Sequence, residues 1–136
     1  MEINVATNTL WGISSLKSAI SCFIYNNQGR IDLGYRTSDE ALQIAEESGD
    51  IYSKAWAFPF HGYSFYYKGF LEEAETYLKK GIDFSESINY LKLSIAGHVV
   101  LGDTYFDMGE YTKAESFYEK AIQLVEQERS HPSWLS

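Results

Sequence analysis

Side chains able to do acid–base, nucleophilic or metal chemistry are few in this sequence. Its histidines are His61, His98 and His131, and Cys22 is its one cysteine. His61 and His98 would form a metal or acid–base pair only if they shared a face. No other candidate ligand stands near them at metal-ligand spacing, so packing between helices with one hydrogen bond is their expected role. A lone cysteine allows neither an intrachain disulfide nor a thiolate metal site, and Cys22 reads as a buried, inert thiol. The carboxylate runs Glu46-Glu47 and Glu72-Glu73-Ala74-Glu75 read as solvated helix faces. There is no glycine-rich phosphate loop and no nucleophile–base set. The expectation is a protein that is not an enzyme, with no cofactor and no metal.

Bulk properties narrow the partners. Apolar residues make up 45% of the 136, and 16% are aromatic, enough for a packed core. The net charge is −8, and no basic cluster interrupts it. Nucleic acid and anionic membrane surfaces are repelled by such a chain, so neither is an expected partner. Apolar runs such as Ile20 to Tyr25 fall far short of the roughly 20 residues that span a bilayer. The first ten residues lack the basic start and apolar centre of a signal peptide. A cytoplasmic location is expected.

The elements that must position any functional side chain are set by a repeat. Gly62 and Gly102, Gly69 and Gly109, and Ala74 and Ala114 share one offset of 40 residues, and Tyr25, Phe65 and Tyr105 keep it. A fixed period with helical patterning is the mark of a helical solenoid. Trp11, Ile13, Leu16, Ile20, Phe23 and Ile24 recur at helical spacing and predict a first helix over 11–27. The next is predicted over 31–48, with a start as late as Thr37 because Gly34 and Ser38 weaken it. Residues 51–68 are aromatic nearly all round, with a kink expected at Pro59. Further helices follow over 71–87, 90–108 and 111–129. Short links such as Met108-Gly109-Glu110 make neighbours antiparallel. The fold class is therefore all-α, a right-handed α-solenoid of about three repeats at 11–49, 50–89 and 90–129. Residues 1–10 are expected as a frayed N-terminal remnant of an earlier unit. Residues 130–136 are expected as the truncated start of a next helix, with Pro132 in its first turn, as in a fragment of a longer protein.

The third unit supplies Leu101, Gly102, Tyr105, Gly109, Tyr111, Ala114, Tyr118 and Ala121. The second supplies Phe58, Gly62, Phe65, Gly69, Leu71, Ala74, Leu78 and, off-pattern, Gly81. The first is degenerate, with Cys22, Tyr25, Gly29, Gly34, Ser38 and Ala41. This order of residues resembles the tetratricopeptide repeat. The small residues let helices approach to about 8–10 Å. Two features depart from the usual motif. The repeat is 40 residues long rather than the usual 34, and Glu46, Glu86 and Glu126 stand where proline usually closes it. Extended repeats of this kind look like those of large bacterial signalling proteins, where they accompany nucleotide-cyclase and ATPase modules, and like those of polarity scaffolds.

The resemblance implies a concave groove lined by first helices. Its positions fall on Leu16, Ala19, Phe23, Asn26 and Asn27, then Trp56, Pro59, Tyr63, Tyr66 and Tyr67, then Ala96, Val99, Asp103, Phe106 and Asp107. Members that grip C-terminal carboxylates use Lys, Arg and Asn there, and no Lys or Arg occupies these positions. Phe23, Asn26, Asn27, Trp56, Tyr63, Tyr66, Tyr67, Asp103, Phe106 and Asp107 are the candidate partner-binding residues. The implied function is a non-catalytic protein–protein interaction module of a larger regulatory protein, taking an apolar segment with basic flanks. The partner is a protein, a peptide or another domain of the same chain, and weak homodimers through exposed repeat ends are expected. The alternative is a small-molecule-sensing module with an aromatic pocket near Trp56. A structural spacer is the third reading.

Overall fold

The computed structural model describes residues 2–130, with side-chain placement from residue 10 onward. Among these residues it is all-α: α1 is Glu2–Ile20, α2 Ile31–Ser48, α3 Ile51–Lys68, α4 Leu71–Ser87, α5 Leu91–Asp107 and α6 Tyr111–Ser130. A π-helical stretch, Ser21–Asn26, extends α1. Each helix packs on the next, and α1 on α3 and α3 on α5 touch as well. The second helices α2, α4 and α6 stand further apart from one another, so the array closes in on the side of α1, α3 and α5. α1 begins at Glu2, inside the segment expected as a frayed remnant. The anticipated new helix start at Pro132 lies outside the described residues.

The links explain the period. Backbone with positive φ occurs at Gly29, Gly49, Gly69, Asn89 and Gly109, once every 20 residues. Glycine takes that left-handed conformation freely, and Asn is among the few other residues that tolerate it, so Asn89 completes a series its sequence neighbours do not advertise. Asp50 caps α3 by accepting from the Ser53 amide at 3.0 Å and from its hydroxyl at 2.9 Å.

α2 runs unbroken from Ile31, so the late start near Thr37 does not occur. Gly34 is the reason: a Cβ there would sit 2.1 Å from Asn26 Oδ1, so the residue that weakens α2 locally is what lets it reach the end of the first helix. Gly81 of α4 plays the same part against Pro59 of α3, where a Cβ would lie 2.7–2.9 Å from the ring and its nitrogen. α3 continues through Pro59.

Apolar packing concentrates at two places. Ala41, Leu42, Ala45, Ala57 and Phe58 bury the contact of α2 with α3, flanked by Tyr77 and Phe84. Ala74, Leu78, Ile82, Leu101, Tyr105 and Ala114 bury that of α4, α5 and α6. Serines are buried as well, Ser14, Ser18, Ser38, Ser53 and Ser64 all fully. Ser14 donates to the Ala41 carbonyl at 2.9 Å and Ser38 to that of Tyr35 at 2.9 Å.

Both described histidines sit between helices. His98 Nδ1 donates to the Ser94 carbonyl at 2.7 Å, and its ring lies 5.7 Å from that of Phe117. His61 is buried among Tyr35, Phe65 and Tyr77, with Nδ1 2.8 Å from Ser38 Oγ. The Ser38 proton serves the Tyr35 carbonyl, so Nδ1–H donates to Oγ. Nε2 faces the Asp39 carboxylate at 3.8 Å. Burial lowers the His61 pKa, and Asp39 partly opposes it.

Two measurements follow. Gly81→Ala forces α3 and α4 apart and lowers unfolding stability by about 1–3 kcal/mol in chemical denaturation; an unchanged midpoint contradicts the contact. In the unfolded chain His61 takes up its proton near pH ~6.5, whereas the buried ring takes it up only at lower pH. Below that point the unfolded chain binds more protons, so His61 contributes stability that is full above pH ~6.5 and is lost as pH falls toward the depressed folded value. His61→Gln flattens the acid side of the stability curve relative to wild type; parallel curves contradict it.

Candidate functional site

The face formed by α1, α3 and α5 presents most of the expected groove residues. Phe23 is 61% exposed and Phe106 55%, and Asn27 and Asp107 are exposed too. Trp56, Tyr63, Tyr66, Tyr67 and Asp103 are half-buried. Of the wider set, Leu16, Ala96 and Val99 are exposed, Ala19 is half-buried, and Pro59 is buried against Gly81. Asn26 is a correction. It is buried, its amide donates to Ser64 Oγ at 3.3 Å, and its oxygen fills the space over Gly34. Its role is joining α1 to α2 and α3, out of a partner's reach. Widening into a π-helix turns the last residues of the first helix away from the angles an α-helix would give them.

The residues on this face form two adjoining groups. One is a tyrosine cluster on successive turns of α3. The rings of Tyr63 and Tyr66 stack with centroids 6.3 Å apart, and Tyr67 meets Tyr63 edge-on at 4.8 Å. The hydroxyls of Tyr63 and Tyr67 are 3.2 Å apart. α5 brings two carboxylates to this cluster. The Tyr118 hydroxyl, from α6, donates to Asp103, and Asp107 lies near enough to Tyr66 to raise its pKa. Among the described residues neither Asp103 nor Asp107 has a Lys or Arg within ion-pair distance. Burial raises the pKa of Tyr66 and Tyr118, and the neighbouring carboxylates add to it, Tyr118 being pushed up to about 12. Tyr63 is raised in the same way, first by burial and then by its bond to Tyr67. Tyr63, Tyr66 and Tyr118 therefore stay neutral at ordinary pH, and the formal charge of this surface comes from Asp103 and Asp107.

The second group encloses an apolar cavity of about 300 Å3 where three helix pairs meet. Cys22 and Phe23 line it from the π-helical stretch, Trp56, Pro59, Phe60 and Tyr63 from α3, and Lys92, Leu93, Ala96, Gly97 and Val100 from α5. Tyr63 belongs to both groups. Trp56 packs on Phe60 at 5.5 Å and on Tyr90 at 5.9 Å, and Phe23 meets Phe60 at 5.8 Å. Burial pushes the Cys22 thiol up to about 11, as expected for an inert side chain. Phe60, Tyr90, Lys92, Leu93 and Gly97 were not legible as site residues, because the repeat positions describe one unit at a time and this cavity takes its wall from three. Tyr118 had a signal: it is the motif aromatic opposite Gly102, where a Cβ would lie 2.6 Å from its ring.

Among the described residues no group of His, Cys, Asp and Glu converges to hold a metal ion, and no helix is long and apolar enough to cross a membrane. Residues 95–127 match the family model of the tetratricopeptide repeat, a fold that generally serves as a protein–protein interaction scaffold. No curated protein matches the chain. The matched segment covers most of α5 and α6, so this pair carries a tetratricopeptide repeat, and the preceding helices repeat its antiparallel pairing in an all-α solenoid of the same kind.

Proposed function

We propose that the chain is a non-catalytic interaction module, working within a larger regulatory protein, whose groove takes an apolar segment with basic flanks. The observation that supports this reading is the tyrosine cluster beside Asp103 and Asp107. Exposed and half-exposed rings offer rigid contact area at low entropy cost. Asp103 has the Tyr118 hydroxyl for a partner, and among the described residues neither carboxylate has a cation within ion-pair distance, so they leave an uncompensated negative charge beside that area. A Lys or Arg of the bound segment supplies the missing charge and can lie over a tyrosine face. With no Lys or Arg on the groove positions, an acidic segment lying beside Asp103 and Asp107 is repelled.

The last helix supports a second contact. Ile122 is 59% exposed and Val125 49%, and they line an apolar hollow with Ile95, Val99, Tyr118 and Ala121. Such a face favours weak association of two copies.

A synthetic Leu/Phe peptide flanked by lysines binds more tightly than its glutamate-flanked twin. Asp103→Asn with Asp107→Asn reduces that preference by about three- to tenfold, as expected for two partly exposed ion pairs. Equal binding of the two peptides to the wild-type protein overturns the reading. Sedimentation at rising concentration shows weak self-association that Ile122→Lys with Val125→Lys removes, whereas a wild-type chain that stays monomeric throughout excludes the second contact.

A further inference from the structure

The cavity at the junction of α1, α3 and α5 differs in chemistry from the tyrosine–aspartate surface beside it. Its walls are almost wholly apolar, and its one charged lining residue is Lys92. Lys92 is exposed, and among the described residues no carboxylate lies within ion-pair distance of it. Exposed Phe23, Tyr90 and Ala96 also line the cavity, so it opens to solvent on the side where Lys92 stands. Asp103 is eleven residues further along α5, about 16 Å at the helical rise, beyond the screening length of about 8 Å at physiological salt. The negative charge of the neighbouring surface therefore does not cancel Lys92.

We propose that this cavity binds a small amphiphile with an anionic head, an aliphatic or aryl monocarboxylate, its apolar body against Trp56, Leu93 and Val100 and its carboxylate at Lys92. The volume of about 300 Å3 lies at the small end of ligand pockets. It is room for about ten groups the size of a water molecule, the length of a medium-chain fatty acid rather than a membrane lipid. The wall comes from three helix pairs. A molecule seated there touches α1, α3 and α5 together and favours one curvature of the array over others. Gly97 keeps α5 close to Ile82 of α4, where a Cβ would lie 2.8 Å from that side chain, so the back of the cavity is closely packed.

Decanoate and decanol, both below micellar concentration, are the probes, with isothermal titration for stoichiometry and Trp56 fluorescence for occupancy. The wild-type chain binds one decanoate saturably, and decanol about tenfold more weakly or less, as loss of one ion pair at the mouth allows. Lys92→Gln brings decanoate down to the decanol level. Ala96→Phe, at an exposed position that leaves the helix contacts alone, blocks the mouth and removes both. Bound decanoate also slows modification of Cys22 by methyl methanethiosulfonate. No saturable decanoate binding, or binding unchanged by Ala96→Phe, overturns the site. Decanol binding as tightly as decanoate, or indifference to Lys92→Gln, overturns the anionic head. The lysine-flanked peptide, measured on the same variants, reports on the groove separately.

Discussion

α3 can lie against α4 only because Gly81 has no side chain where Pro59 passes. The same condition recurs along the array. Gly34 makes room for Asn26, and Gly62 for Leu78, which a Cβ would meet at 2.9 Å. At each of these crossing points a glycine on one helix faces a larger residue on the other. The large side chains are displaced to the flanks, where Phe58, Phe84 and Tyr77 pack on one side of α3 and Trp56 and Phe60 on the other. Close approach thus both holds the stack together and pushes its aromatic residues toward the surface that a partner meets.

That arrangement shapes the electrostatics as well. Ser14, Ser21, Ser38 and Ser85 donate to backbone carbonyls, so their contacts need no charge. The acidic residues are left for the outside, where most are solvated, and Asp103 and Asp107 are the two brought beside the tyrosines. The bond from Tyr118 holds the Asp103 carboxylate in place without neutralising it. Lys92, eleven residues away on α5, stands apart at the mouth of the apolar cavity. One helix, α5, therefore carries a positive residue near its start and negative residues near its end.

Periodicity makes the helices legible. The 40-residue offset of Gly62 with Gly102 and of Ala74 with Ala114 marks the helix pairs by spacing alone. The link glycines mark most of the turns. Gly34 and Ser38 mislead because propensity treats them as weak points of α2, whereas their lack of bulk is what tertiary packing requires. Asn26 misleads because its repeat position assumes an α-helix, and Ser21–Asn26 is π-helical. The buried serines are invisible as core residues, since a polar residue at a crossing point looks the same in sequence as one in solvent.

Which segments are helical, where they turn, and that α3 is aromatic on nearly every face can all be read along the chain. These are local matters of spacing, caps and backbone conformation. Which of those aromatics face a neighbour was settled only by packing between helices. The same packing gathers Tyr63, Tyr66 and Tyr67 beside Asp103 and Asp107, and closes Cys22, Trp56 and Leu93 round one cavity. These groupings join residues of three helix pairs. Their distances depend on how closely the helices cross, and that is set by side chains on the opposite helix rather than by any pattern within one.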